Sequence, residues 1–202
     1  MSNVPKTLTV LETHQLLDSI LVKEGTDKQF HRAVRNYAMA LCMLDAGLRV
    51  GELVKLHWSD LFFNCEPVNS IIIRSAIAKK GRERTVPVSQ RLGDALKSYH
   101  EYYRPTRGEF STAYCFYQTE ETAPLTTRQV ERIIRAAAMK SLGRPIHPHV
   151  LRHTFATKLM RKTNARIVQE LLGHEHLSST QIYTHPNSED LTNAINSLDN
   201  GD

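Results

Sequence analysis

Four short stretches of the chain hold residue types able to handle a phosphate. In His149-Val150-Leu151-Arg152 the histidine and the arginine stand three apart, so they share one face if the segment is helical. A permanent cation beside a titratable donor suits an anionic oxygen, phosphate above all; a solvated helix face is the alternative. Arg49 and Glu52 repeat that spacing. Such a pair is either a structural ion pair or a carboxylate that holds a guanidinium in place for a phosphate. In Leu171-Leu172-Gly173-His174 the glycine fits the position just past a helix end, which sets His174 in a tight connection between helices. Tyr183 follows nine residues later on a short helical stretch. Taken singly, His174 reads as a loop histidine and Tyr183 as half-buried core. The fourth stretch, Lys79-Lys80-Gly81-Arg82-Glu83-Arg84, is a basic turn that is either solvated or reaches into a groove of DNA.

The elements that must carry these residues are mostly helical. Apolar spacing predicts helices over 9–20, 30–48, 52–56, 92–103, 127–140, 148–160 and 165–172, with a last pair over 178–183 and 188–198. Gly47 is placed to end the second of them. Between the third and fourth the texture changes. Residues 70–78 are β-branched, Lys79 to Arg82 form a turn, and 83–88 are strand-like again, which predicts a hairpin. Pro87 puts its second strand at an edge or an end. The predicted fold is mainly α with a small antiparallel β-sheet.

Composition narrows the class of partner. Of 202 residues, 41% are hydrophobic and 23% charged, which is ordinary for a globular chain and excludes a disordered one. Lys and Arg number 26 against 21 Asp and Glu, giving a formal charge of +5. That excludes an acidic solvating chain and leaves a polyanionic partner open. Cys42, Cys65 and Cys115 are far apart with no CxxC, against a disulfide scaffold or a cysteine zinc site, so a reducing cytoplasm is the expected compartment. The longest apolar stretch, 37–44, falls far short of the roughly 20 residues that span a bilayer, so no membrane partner is expected.

Four matching stretches give the chain a resemblance: AGLRVGEL, AKKGRERTVPV, HPHVLRHTFAT and LLGHEHLSSTQIYTH. In this order they resemble the catalytic domain of the tyrosine recombinase, or phage integrase, family, and its Xer-like branch most. The resemblance implies that fold and a site-specific DNA recombinase activity. It implies roles residue by residue: Arg49 and Arg152 as the catalytic arginines, Glu52 as the supporting acid, and Lys79 as the hairpin lysine, with Lys80 competing for that role. His149 is then the histidine of the His-x-x-Arg pair, His174 the second histidine, and Tyr183 the nucleophile. Tyr183 is expected to attack a DNA phosphorus, giving a 3′-phosphotyrosyl link and a free 5′-hydroxyl. The arginines match the charge that develops on the phosphate oxygens. His149 is the expected proton acceptor or phosphate ligand, and Lys79 the acid that protonates the leaving oxygen. No metal and no cofactor is expected, because arginines do that electrostatic work. His147, His153 and His185 are expected to be structural or peripheral, His153 because it turns to another side of its helix.

The same resemblance implies further partners. Lys80, Arg82, Arg128, Arg132 and Arg135 are candidate contacts to double-stranded DNA carrying paired recombination sites. A single catalytic domain is expected over 1–202, its core over about 5–187, without the separate core-binding domain that most relatives carry before it. The amphipathic segment 188–198 is expected to dock on a neighbouring protomer, forming a synaptic tetramer on DNA. Two other readings stay open: relaxation of DNA in the manner of a type IB topoisomerase, and a non-catalytic DNA-binding regulator with the same fold.

Overall fold

The computed structural model describes residues 6–22, 24–78, 81–103, 113–118, 123–175, 178–181 and 183. The predictions on Lys79, Lys80, His185 and the segment 188–198 lie outside these residues. Helix α1 (Val10–Ile20) starts on a reciprocal cap: Thr9 Oγ1 accepts the Glu12 N–H at 3.1 Å and the Glu12 carboxylate accepts the Thr9 N–H at 2.9 Å. Helix α2 (Asp27–Asp45) begins three residues earlier than the apolar spacing predicts, because Thr26 and Gln29 cap it and Asp27 suits its first turn. Its second half, from Ala38 to Leu44, is buried on all sides. A helix apolar all round must be central, and α2 packs against both α5 (Gln90–Tyr102) and α7 (Pro148–Met160).

Short elements follow α2: α3 (Val50–Leu53), α4 (Trp58–Leu61), β1 (Phe62–Phe63) and β2 (Glu66–Pro67). The spacing missed the β1–β2 hairpin. Its two-residue turn is made by Asn64 and Cys65, both at positive φ (48° and 65°), so no glycine marks it. The expected hairpin is present as β3 (Ser70–Ile73) and β4 (Arg84–Pro87), paired antiparallel with Ile71 opposite Val86. The strand stops at Ile73 instead of 78, where Ile77 and Ala78 donate back to the Arg74 carbonyl in a turn. Pro87 is the strand's last residue, where its missing N–H does no harm.

Helices α6 (Thr127–Leu142), α8 (Ala165–Leu172) and α9 (Ser178–Gln181) complete the described elements. α6 packs on α1, and α8 on α7, α9 and β4. The main core gathers round Trp58, stacked on Tyr99 with centroids 5.4 Å apart. A second, smaller cluster of Phe155, Ala156, Val168, Leu172 and Tyr183 sits between α7 and α8. That small cluster borders the residues able to do chemistry.

Candidate active site

The turn between α2 and α3 brings the first arginine into place. Gly47 takes φ +61°, and a Cβ there would stand 2.5 Å from the Phe155 ring, so a side chain is excluded twice over. Arg49 then caps α3, and Glu52 folds back on it. The Glu52 carboxylate accepts four hydrogen bonds: from the Arg49 N–H (2.8 Å), Arg49 Nη1 (2.9 Å), Arg84 Nη1 (3.0 Å) and Arg84 Nη2 (2.7 Å). Burial pulls the Glu52 carboxyl up, but the hydrogen bonds and charge of Arg84, with those of Arg49, outweigh it and hold it down at about 2. Arg49 keeps 19% of its side-chain exposure, against 3% for Arg84, so Arg49 is the one of the pair open to a ligand.

Arg84 was not foreseen as a site residue. It sits on β4, donates both terminal nitrogens to Glu52, and gives Nε–H to the Leu171 carbonyl at 3.0 Å. Strand parity carried the signal: Arg84 and Val86 face inward, Thr85 and Pro87 outward. A basic residue on the core-facing parity of a strand must have a buried partner.

Helix α7 carries the next group. His147 caps it, its Nδ1 accepting the His149 N–H at 3.3 Å while Nε2 meets Glu131 at 3.0 Å, and Pro148 takes the first turn. The His149 ring stacks on His147, with centroids 5.0 Å apart and planes 15° apart, and remains on the exposed side of the helix. Arg152 is buried. It donates Nη1 to the Gly47 carbonyl and Nη2 to the Leu172 carbonyl (2.7 Å), so one side chain ties the approach to Arg49 to the approach to His174.

The end of α8 aims His174. Gly173, at φ +62°, lets the His174 N–H reach the Gln169 carbonyl (3.0 Å) and its own N–H reach Glu170 (3.0 Å), a Schellman closure. The Arg82 guanidinium and Gln169 both donate to the His174 carbonyl, at 2.8 and 3.2 Å. Its ring sits between Arg152 Nη2 (3.4 Å, to Nε2) and Thr180 Oγ1 (3.0 Å, from Nδ1). Burial, then Arg152 and Arg49, push this imidazole down to about 4, so it is neutral near pH 7. Thr180 is buried and had no signal in the spacing.

Tyr183 follows α9, its ring in the small cluster beside Phe155 and Leu172. Its hydroxyl lies 2.7 Å from Nδ1 of His153. This corrects the expectation that His153 is peripheral. The site is a cleft between helices, not one helix face, and Tyr183 reaches α7 from the flank that the residue after Arg152 occupies. Burial raises the Tyr183 phenol above its ordinary value, against the pull of Arg152 and Arg49.

The charge balance of this cleft is informative. Arg49, Arg84 and Arg152 set three cations around one carboxylate, Glu52, leaving two positive charges in excess. Burial, then Arg49, disfavour the Arg152 cation and bring it down to about 9, still charged near pH 7. The structure therefore brings together Arg49, Glu52, Arg152, His174 and Tyr183, with His149 on the rim. Arg128, Arg132 and Arg135 are exposed on α6, along a cleft of about 460 Å³ that also takes in His147.

A mainly helical domain with this hairpin is the fold of tyrosine recombinase and integrase catalytic domains. It superposes on the XerA recombinase crystal structure with a TM-score of 0.74 and 28% identity, covering 97% of this chain and 66% of that one. For XerH recombinase bound to a palindromic difH substrate the TM-score is 0.65 and the identity 27%, over 96% of this chain and 53% of that one. Residues 7–190 match the phage integrase family, and the chain belongs to it. Among curated relatives, the tyrosine recombinase XerC of Pediococcus pentosaceus is 35% identical over 89% of this chain and 58% of its own length. The XerD of Listeria innocua is 34% identical over 91% and 59%. The chain thus spans somewhat under two thirds of these relatives. Among the described residues no helix is long and apolar enough to cross a membrane.

Proposed function

We propose that the chain is the catalytic domain of a site-specific DNA recombinase that cuts and rejoins strands through Tyr183. One observation carries this: a tyrosine hydroxyl held inside a cleft whose arginines exceed its carboxylates by two charges. The Tyr183 oxygen attacks a backbone phosphorus, the 3′-phosphotyrosyl bond forms, and the bond to the 5′-oxygen breaks. The energy of the phosphodiester is kept in the new bond, so a 5′-hydroxyl can reverse the step. Arg49 and Arg152 meet the non-bridging oxygens, whose charge grows in the transition state. Glu52 and Arg84 hold Arg49 in place. As the phosphate offsets the arginine charge, His174 gains a proton at Nε2 and donates it to a phosphate oxygen, and His149, on the exposed side of α7, is a phosphate ligand. Lys79 is the acid for the 5′-oxygen.

The substrate is double-stranded DNA with paired sites, tracked by Arg82, Arg128, Arg132, Arg135 and Lys80. Segment 188–198 docks on a neighbouring copy, so that four protomers assemble on two sites. The relatives named above as recombinases, one of them solved on its DNA substrate, support this reading, and a reducing cytoplasm fits three free thiols.

The test is a nicked suicide duplex whose sequence is first selected from random DNA by binding to Tyr183→Phe. The wild type should become covalently joined to the duplex and Tyr183→Phe should not. Binding without any adduct would favour the regulator reading, and an adduct with Tyr183→Phe would remove the nucleophile assignment.

A further inference from the structure

The Tyr183 proton needs an acceptor, and the family pattern offered His149 for that work. The structure places a different side chain at the hydroxyl. His153 Nδ1 is 2.7 Å from Tyr183 Oη, within ordinary O–H···N hydrogen-bond range, and the two rings lie 5.6 Å apart. The His149 ring stacks on His147, and its centroid is 6.3 Å from that of His153. We propose that His153 is a catalytic residue, the general base that takes the phenol proton in cleavage and returns it in rejoining. This rests on the recombinase reading above.

The step balances. The Tyr183 O–H bond breaks as its oxygen bonds to phosphorus, and the proton passes to His153 Nδ1, leaving an imidazolium. The 5′-oxygen departs with the electron pair of its P–O bond and takes a proton from the acid assigned to Lys79. In rejoining, the 5′-hydroxyl gives its proton back to the acid assigned to Lys79 as its oxygen attacks phosphorus, the Tyr183 oxygen leaves, and His153 returns its proton to it. No oxidant, metal or water is consumed.

The surroundings suit a base that works only when the substrate is present. His153 is half-buried on α7, and burial, then His149 and Arg152 on its own helix, push its imidazole below the ordinary value, so it rests neutral. Across the cleft it faces the His174 imidazole and Tyr183. Arg152 and Arg49 both act on the Tyr183 phenol as cations. Arg152, Arg49 and Arg84 outweigh the single Glu52 carboxylate, and this net positive charge opposes an imidazolium until a phosphodiester anion enters and its charge grows in the transition state.

The experiment measures covalent adduct formation on the selected nicked duplex across pH, for wild type, His153→Gln, His153→Ala and His149→Gln. General-base assistance is worth about 100-fold or more, so His153→Gln should form adduct about 100-fold more slowly near neutral pH while binding the duplex within about threefold of wild type. The wild-type rate should fall as pH drops through the His153 titration. That fall should persist in His149→Gln and vanish in His153→Gln. Added imidazole should restore part of the rate to His153→Ala, which a packing role would not allow. Without DNA, ¹⁵N NMR should show Nδ1 of His153 unprotonated in the wild type and altered by Tyr183→Phe. An adduct rate for His153→Gln within about threefold of wild type, or a pH profile unchanged by it, overturns the assignment while leaving the recombinase reading intact. No adduct from wild type overturns both.

Discussion

A carboxylate that accepts four hydrogen bonds from two arginines has no acceptor capacity left over, and that fixes what Glu52 does. It holds Arg49 in place and forms with Arg84 a buried ion pair, in which Glu52 is 2% and Arg84 3% exposed. Removing one partner of such a pair strands the other in low dielectric. Glu52→Gln should therefore lose about 3 kcal/mol of unfolding free energy at neutral pH in a denaturant titration. The acid behaviour follows with a definite sign. The folded carboxyl sits at about 2, below its ordinary 4.5, so its contribution is whole above pH 4.5 and is lost as the pH falls toward 2. Glu52→Gln should flatten the acid limb of stability in that window, and an unchanged limb would place the carboxylate elsewhere. His174 gives a second check at this scale. Held at about 4, it rests neutral, with Nε2 accepting from Arg152. A bound phosphate offsets the arginine charge that holds it there, so inorganic phosphate should raise its titration midpoint in a ¹H–¹⁵N NMR experiment, and an unmoved midpoint would mean the anion docks at another place. The Arg49–Glu52 pair was legible because local spacing creates it, whereas His149 and Arg152, at the same spacing, divide between the exposed and buried sides of α7. Arg84 was not legible, since it meets Glu52 across 32 positions, and His153 was placed outside the site because it lies on another side of α7 from Arg152, the side that Tyr183 approaches.

At the scale of elements, the helix bodies at α7 and α8 coincide with the predicted 148–160 and 165–172, where caps and apolar spacing agree. Short pieces such as α4 and β1 escaped because two to four residues carry no period. The element that decides the site is the closure of α8. Gly173 and Gly143 both adopt left-handed backbone, at φ +62° and +66°, but their surroundings differ. A Cβ at Gly143 meets nothing within 4 Å, whereas at Gly173 it would stand 2.9 Å from Arg84 Cδ. Gly143→Ala should thus cost about 1 kcal/mol from the backbone alone. Gly173→Ala should cost more, on the order of 2 kcal/mol, because Arg84 must also shift, and it should slow adduct formation by moving His174 and loosening the Glu52 clamp. Paired thermal melts and adduct assays decide this: equal loss of stability in the two variants, with cleavage intact in both, would show that the closure does not transmit to the site.

At the scale of the whole molecule, the +5 charge divides into two jobs that experiment can separate. On the proposed reading Arg49 and Arg152 serve a single phosphate inside the cleft, held there by carboxylate and carbonyl partners. Arg128, Arg132 and Arg135 are exposed on α6, along a separate cleft, and on the same reading they contact the backbone of the duplex. Cations of the second kind act by releasing condensed counterions, and each phosphate contact contributes about 0.9 to the slope of log affinity against log salt. Replacing any one of the three with Ala should lower that slope by about 0.9 and weaken binding, while adduct formation at saturating protein stays close to wild type. Arg49→Ala should do the reverse, removing most of the cleavage and leaving much of the binding and nearly all of the slope, because its effect is confined to the transition state of one phosphodiester. Binding isotherms at several salt concentrations, read beside adduct yields on the same duplex, place each arginine in one group or the other. Should Arg128, Arg132 and Arg135 leave the slope unchanged, the duplex does not run along α6, and the excess charge that carries it must lie on another face.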